Sequence, residues 1–231
     1  MTEYPILTRA QARQLDAAAI SRLGLPSLLL MENAARGVVE ELTKRRRNRG
    51  RVLVFCGPGN NGGDGLAIAR LLASVGDEAV VYLLRGGKDL TDDAKQNLKF
   101  LQASSGNVVE SNDVTDWDPV FDELTQDDWI LDCLLGTGVR GRPRSPFSNI
   151  IEAINVSSAR VLAVDVPSGL DCDTGVAEDG ACVKAEATVT FVGMKRGFLQ
   201  PSASEFTGNV TVAHIGVPLA WIRRWLSDVD D

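Results

Sequence analysis

The stretch Gly57-Pro58-Gly59-Asn60-Asn61-Gly62-Gly63-Asp64-Gly65 constrains this chain more than any other. It lies between a strand-like apolar run, Arg51 to Cys56, and a helix-like run, Leu66 to Leu72. Five glycines in nine residues let the backbone turn sharply and approach a ligand closely. A helix N-terminus follows, and its free N–H groups favour anions. Strand, glycine turn and helix in that order are the opening of a dinucleotide-binding α/β unit. A bare phosphate cradle needs no carboxylate at its centre, so Asp64 points to chemistry, cation binding or a helix cap beside phosphate binding.

The rest of the chain repeats the alternation. Strands are expected over 51–56, 79–84, 107–110, 129–134, 161–166, 187–192 and 209–214. Helices are expected over 65–75, 91–104, 117–124, 145–155 and 219–226. Ahead of them, Thr8-Arg9-Ala10-Gln11 reads as a capping box opening a first helix. Gly24 ends that helix, and Pro26 restarts a second one through about Lys44. The strands are continuous apolar runs such as Val161-Leu162-Ala163-Val164, which means burial on both faces. The expected fold is α/β, a three-layer αβα sandwich with a Rossmann-like, doubly wound, mostly parallel sheet. At 231 residues the chain reads as a single domain: N-terminal helices over 8–45, an α/β core over 51–218, and a short C-terminal helix and tail over 219–231.

Composition excludes several classes of function. A net charge of −7 argues against a general nucleic-acid binder, which needs a basic surface. The basic run Lys44 to Arg49 reads as the solvated C-terminal turn of the second helix. No apolar run approaches the roughly 18 residues that span a bilayer, and the first residues lack the basic and apolar regions of a signal peptide. Cys56, Cys133, Cys172 and Cys182 form no C-x-x-C pair, so they read as buried free thiols of a reducing cytoplasm.

Three loops after expected strands pair glycines with aspartate: Gly59 to Gly65, Asp132 to Arg142, and Asp165 to Gly175. In an open parallel sheet such loops meet at one crevice. Gly57, Gly59 and Gly62 satisfy G-x-G-x-x-G, but the next strand ends Tyr82-Leu83-Leu84-Arg85-Gly86-Gly87 without the acid that a nicotinamide dehydrogenase uses on the ribose. Zinc lacks clustered His or Cys ligands, and Pro167-Ser168-Gly169 is not the elbow of a serine hydrolase. His214, the single histidine, reads as structural. Asn61, Asp132 and Ser168 with loop carbonyls form an all-oxygen set of low charge, which suits K⁺ better than Mg²⁺. Arg140 and Arg142 read equally as phosphate contacts or as solvated side chains.

Gly59 to Leu66, Asp132 to Gly138 and Asp165 to Asp171, in this order, resemble the YjeF N-terminal domain family. Leu30 to Ala35, Ala187 to Phe191, Lys195 and Gly197 support the resemblance, which runs from about Leu7 to Pro218. Ala35 departs from the family's usual glycine. The resemblance implies NAD(P)H-hydrate epimerase activity, the interconversion of R and S forms of NADHX and NADPHX, reduced cofactors hydrated on the nicotinamide ring. It implies one K⁺ per subunit on Asn61, Asp132 and Ser168. It implies substrate contacts from Asn60, Asn61, Gly62, Gly63 and Asp64, from Gly136, Thr137, Gly138, Val139, Arg140, Gly141 and Arg142, and from Asp165. It also implies a homodimer and a companion dehydratase that is fused in many bacteria, so this chain is either a stand-alone epimerase or a segment of a bifunctional protein. The hydroxyl-bearing carbon adjoins the ring nitrogen, whose lone pair can expel water and leave an iminium. Asp165 is the expected proton-transfer residue. The alternative is a non-catalytic nucleotide-binding or dimerisation scaffold of the same fold, which would not need Asn61, Asp64, Asp132, Asp165 and Ser168 together.

Overall fold

The structure, a computed structural model, describes residues 4–111, 116–138 and 140–230. Its centre is a seven-stranded sheet in the order β4-β3-β2-β5-β6-β7-β9, parallel throughout. The strands are β2 (Val52–Cys56), β3 (Ala79–Leu83), β4 (Asn107–Glu110), β5 (Trp129–Cys133), β6 (Arg160–Val164), β7 (Ala187–Phe191) and β9 (Asn209–Ala213). Every residue of β2 and β5 is buried. Successive side chains enter opposite layers. Val52, Val54 and Cys56 pack with α3 (Asn60–Ser74) and α4 (Asp92–Ala103) on one face. Leu53 and Phe55 pack with α5 (Asp118–Asp122) and α6 (Phe147–Val156) on the other. This is the αβα sandwich expected from unbroken apolar strands.

The chain runs from β2 outward through β3 to β4, then returns to β5 on the other side of β2. The strand order therefore reverses between β2 and β5, and a crevice opens beyond their C-terminal ends.

The N-terminal segment packs beside this frame. Thr8 and Gln11 form the capping box of α1 (Arg9–Leu23), and Gly24 closes the helix in the left-handed region at φ 68°. After α2 (Ser27–Arg45), Arg46 is not solvated as the basic run suggests: its guanidinium ion-pairs with Asp77 and donates to the Gly50 carbonyl at 2.6 Å. A two-residue strand β1 (Ile6–Leu7) pairs in parallel with β8 (Met194–Lys195), a contact too short to leave a periodic signature. Leu15, Ala18 and Ala19 of α1 share a core with Leu30, Ala34, Ile222 and Trp225, the last two from α8 (Leu219–Asp230). His214 lies one residue past β9 against Tyr4, with ring centroids 5.4 Å apart.

One boundary matters for the site. The helix expected to start at residue 65 starts at Asn60. The glycines of the turn are not all loop residues. A Cβ on Gly62 would lie 1.8 Å from the Gly57 carbonyl oxygen, and one on Gly65 would lie 2.6 Å from Cys56 Sγ. They are glycines because the first two turns of α3 press against the strand ends.

Candidate active site

The glycine turn sits at the switch point. The Gly57 N–H donates to the Cys133 carbonyl at 3.0 Å, which ties the turn after β2 to the end of β5. Asn61 and Asp64 thus reach the crevice from the first two turns of α3, both buried.

An oxygen-rich cluster lies beneath that turn. Asp132, 0% exposed, is the fourth residue of β5 and pairs in register with Phe55 and Ala163. Its Oδ1 accepts from Ser168 Oγ at 2.6 Å and from the Leu134 N–H at 3.2 Å, and its Oδ2 accepts from the Ser168 N–H at 2.7 Å. Burial pushes the carboxyl up to about 6, and these three donors oppose the shift. The Leu135 peptide closes the cluster. Its N–H donates to Ser168 Oγ at 2.8 Å, and its carbonyl accepts from Asn61 Nδ2 at 3.1 Å. The three residues of the expected cation set thus gather around the backbone of Leu135. Asn61 Oδ1 is buried and has no hydrogen-bond partner among the described residues. An orphaned acceptor beside a desolvated carboxylate fits a hard cation.

A separate cleft of about 130 Å³ opens over the same strand ends. Asn60, Asp64, Thr137, Asp165 and Lys195 line it, as do Asp16 of α1 and Asp93 of α4. Asp165 follows β6 with φ at 64°, a left-handed conformation that aspartate tolerates better than most residues. Its N–H donates to the Val189 carbonyl at 2.8 Å, which holds the turn. Lys195, 2% exposed, ion-pairs with Asp165 Oδ1 at 2.8 Å. The same ammonium donates to Thr190 Oγ1 at 2.8 Å and to the Phe191 carbonyl at 3.2 Å.

The other carboxyls have no such pairing. Asp64, 8% exposed, makes no hydrogen bond or ion pair among the described residues. Burial pushes it well above the ordinary range, with Asp165, Asp16 and Asp93 adding like-charge repulsion. Asp16 keeps solvent contact across the open cleft. Burial of its carboxyl against the wall still raises it to about 6, Asp165 adds to the rise, and Lys195 opposes it. The cleft therefore combines an ion pair with two carboxyls displaced upward from the ordinary range, the equipment of general acid–base catalysis.

Asp16 carries a testable consequence. Its ordinary value is 3.8. The folded value is the higher one, so the stability linked to this group is present below the ordinary value and is lost as pH rises through about 6. Asp16→Asn is expected to match the unaltered protein near about pH 4 and to exceed it by roughly 1 kcal/mol near about pH 8, after allowance for solvent screening. Thermal melts at both pH values check this.

The remaining expected site residues are spread more widely. Gly62 and Gly63 are buried, and a Cβ on Gly63 would meet Met31 Cε at 2.8 Å. Gly136 and Gly141 line a neighbouring depression with Pro167, Gly169 and Asp171. Gly138 and Arg140 are exposed. Arg142 is exposed too, with its guanidinium 3.2 Å from Asp179 and its N–H donating to Glu178 Oε2 at 3.0 Å. Val139 lies outside the described residues. Sequence reasoning missed Asp16 and Asp93. Asp93 is one of two acids in the first turn of α4, where acids are expected for the helix dipole alone. The only mark of Asp16 is a lone carboxylate in the alanine-rich run Ala10 to Ala19.

The family model described as YjeF-related protein N-terminus matches residues 27–197. The chain belongs to this family. Among its relatives is the NAD(P)H-hydrate epimerase of Pirellula staleyi, 39% identical over 95% of this chain and 96% of that protein. The NAD(P)H-hydrate epimerase of Rhodopirellula baltica is 36% identical over 96% of this chain and 89% of its own length. The bifunctional NAD(P)H-hydrate repair enzyme Nnr of Moorella thermoacetica is 38% identical over 92% of this chain, a match covering 41% of that protein. The crystal structure of yeast ynu0 superposes with a TM-score of 0.74 at 24% identity, covering 90% of this chain and 87% of that one. That likeness shows the same fold for both.

Proposed function

We propose that this chain is an NAD(P)H-hydrate epimerase, an isomerase that interconverts the R and S forms of hydrated NADH and NADPH. The observation that carries this reading is identity of 39% with a named epimerase across nearly the full length of both proteins. The cleft supplies matching chemistry. Ring nitrogen's lone pair expels the neighbouring hydroxyl as water once an acid protonates it, and an iminium remains. Water then adds to that carbon and gives up a proton to a base. Asp165 is the proposed proton-transfer residue, oriented by Lys195 at 2.8 Å. Asp64, Asp16 and Asp93 surround the iminium with carboxyl oxygens.

The dinucleotide is proposed to lie along the glycine turn, with its nicotinamide end in the cleft beside Asn60 and Thr137. Asn61, Asp132, Ser168 and the Leu135 carbonyl are proposed to hold one K⁺, which would neutralise Asp132 and fix the turn. Proton and cation compete for that carboxylate. KCl added to a tetramethylammonium buffer is therefore expected to stabilise the protein by about 1–3 kcal/mol above pH 6 and by less below it. Asp132→Asn is expected to remove the effect, and melts with and without KCl measure it.

A homodimer working in the cytoplasm completes the proposal. Its four cysteines are free and buried, which accords with a reducing compartment. Among the described residues no helix is long and apolar enough to cross a membrane. The bifunctional relatives support a functional link to a dehydratase that consumes one epimer. The test is chiral chromatography of one purified NADPHX epimer, with and without protein. Protein should bring the two epimers to equilibrium far faster than buffer alone, and equal rates would remove the assignment.

A further inference from the structure

Epimerisation makes a demand that one proton-transfer residue does not meet. The hydroxyl leaves from one face of the ring and water returns on the other. The carbon–oxygen bond breaks with its electron pair going to oxygen, which takes a proton from an acid on that face. The incoming water gives its proton to a base on the opposite face. The reverse reaction uses the same groups in exchanged roles, so each face needs a group that both donates and accepts.

Four carboxyls line the cleft, and their surroundings separate them. Asp64 is buried, and Asp165, Asp16 and Asp93 add like charge to that burial, which disfavours its charged form. Asp93 adds to that like charge from the first turn of α4. Asp165 is bound to Lys195. Asp16 enters from a different element, α1, and remains open to the cleft. Burial and the Asp165 charge push its carboxyl up to about 6, and Lys195 opposes the rise.

The helix that carries Asp16 is fastened at its start. The Arg9 guanidinium pairs with Asp171 at 2.6 Å, and the Arg9 N–H donates to Asp173 Oδ1 at 2.8 Å. Leu7 pairs in register with Lys195 itself. Arg9 is 4% exposed, so this anchor is part of the fold and not a surface contact. Two residues of the third glycine loop and the strand that holds Lys195 thereby set the position of α1, and a preorganised proton-transfer group needs such support. Asp16 precedes the matched family segment, residues 27–197.

We propose that Asp16 is a second catalytic residue, serving the ring face opposite to the one served by Asp165. This deepens the epimerase reading and rests on it.

The test separates the two faces. Each purified NADPHX epimer is incubated with protein in water labelled with heavy oxygen. Chromatography follows interconversion, and mass spectrometry follows exchange of the hydroxyl oxygen. The unaltered protein should exchange and interconvert both epimers. Asp16→Asn should slow interconversion by about 10²–10⁴-fold. One epimer should still exchange its oxygen at the unaltered rate, because Asp165 can expel water and return it on the same face. The other epimer should lose exchange. Asp165→Asn should give the opposite pattern, and Asp16→Glu should recover part of the lost rate.

Normal interconversion by Asp16→Asn would overturn the proposal. So would an equal loss of exchange from both epimers in a variant whose thermal melt is not lowered, since that removes the division between the two faces. If the unaltered protein leaves both epimers at the buffer rate, the epimerase reading itself fails, whatever the variants do.

Discussion

Asp165→Asn is expected to lower the rate of epimer interconversion by about 10²–10⁴-fold, the usual worth of a positioned acid–base group. The substitution keeps the side chain's shape. Asparagine also tolerates the left-handed backbone at this position, where φ is 64°, so the turn itself should survive. What changes is Lys195, whose ammonium is 2% exposed and loses its charged partner at 2.8 Å. Breaking a fully buried pair costs roughly 3–5 kcal/mol. Here the cost should be smaller, because Asp165 is partly open to the cleft and Lys195 keeps Thr190 Oγ1 and the Phe191 carbonyl. The expected signature is a rate loss far larger than the stability loss explains. A rate close to that of the unaltered protein would remove Asp165 from the mechanism.

Gly62→Ala is expected to produce a large loss of stability from a single methyl group. The added Cβ would lie 1.8, 2.7 and 2.9 Å from three backbone atoms of Gly57, none of which can rotate away. Overpacking in a core costs roughly 1–3 kcal/mol, and a backbone clash this close should exceed that range. A melting temperature lower by about 6–12 °C follows from roughly 3 kcal/mol in a chain of this size. Relief of the clash would move Asn61 off the Leu135 carbonyl and disturb the proposed cation set as well. Gly59→Ala is the control. Gly59 sits at φ −85°, and a Cβ there meets nothing within 4 Å, so its melt should change little. Equal melts for the two variants would contradict the packing account of this turn.

Much of this architecture is legible in the sequence because its causes are local. Unbroken apolar runs such as Val52 to Cys56 can only be buried on both faces, and that requires helices on each side of a parallel sheet. Thr8 and Gln11 announce a helix start through a capping geometry that needs four residues and nothing else. The start of α3 was read five residues late for a physical reason. Glycine density signals a turn, yet here glycines also permit contact between α3 and the strands. Spacing along a chain does not separate those two uses.

The candidate site is legible where glycine and aspartate coincide at strand ends, the pattern that singles out Asn61, Asp64, Asp132, Asp165 and Ser168. It is not legible where a single side chain arrives from a distant element. Asp16 reaches the cleft because Arg9 is clasped by Asp171 and Asp173, residues more than 160 positions away. Nothing near Asp16 in the sequence reports that contact. Arg46 was misread for the same reason, since its partner Asp77 lies across a helix and a strand.

The central claim is that the damaged nicotinamide ring sits in the Asp165 cleft beside an alkali ion. A crystal structure of the Asp165→Asn variant with NADPHX in potassium buffer tests it most directly. The account predicts the ring hydroxyl within about 3.2 Å of the side chain at position 165 or of Asp16, and a cation touching Asn61 Oδ1, Asp132 and Ser168. A nicotinamide ring bound outside the cleft, with the adenosine end or solvent in its place, would contradict it.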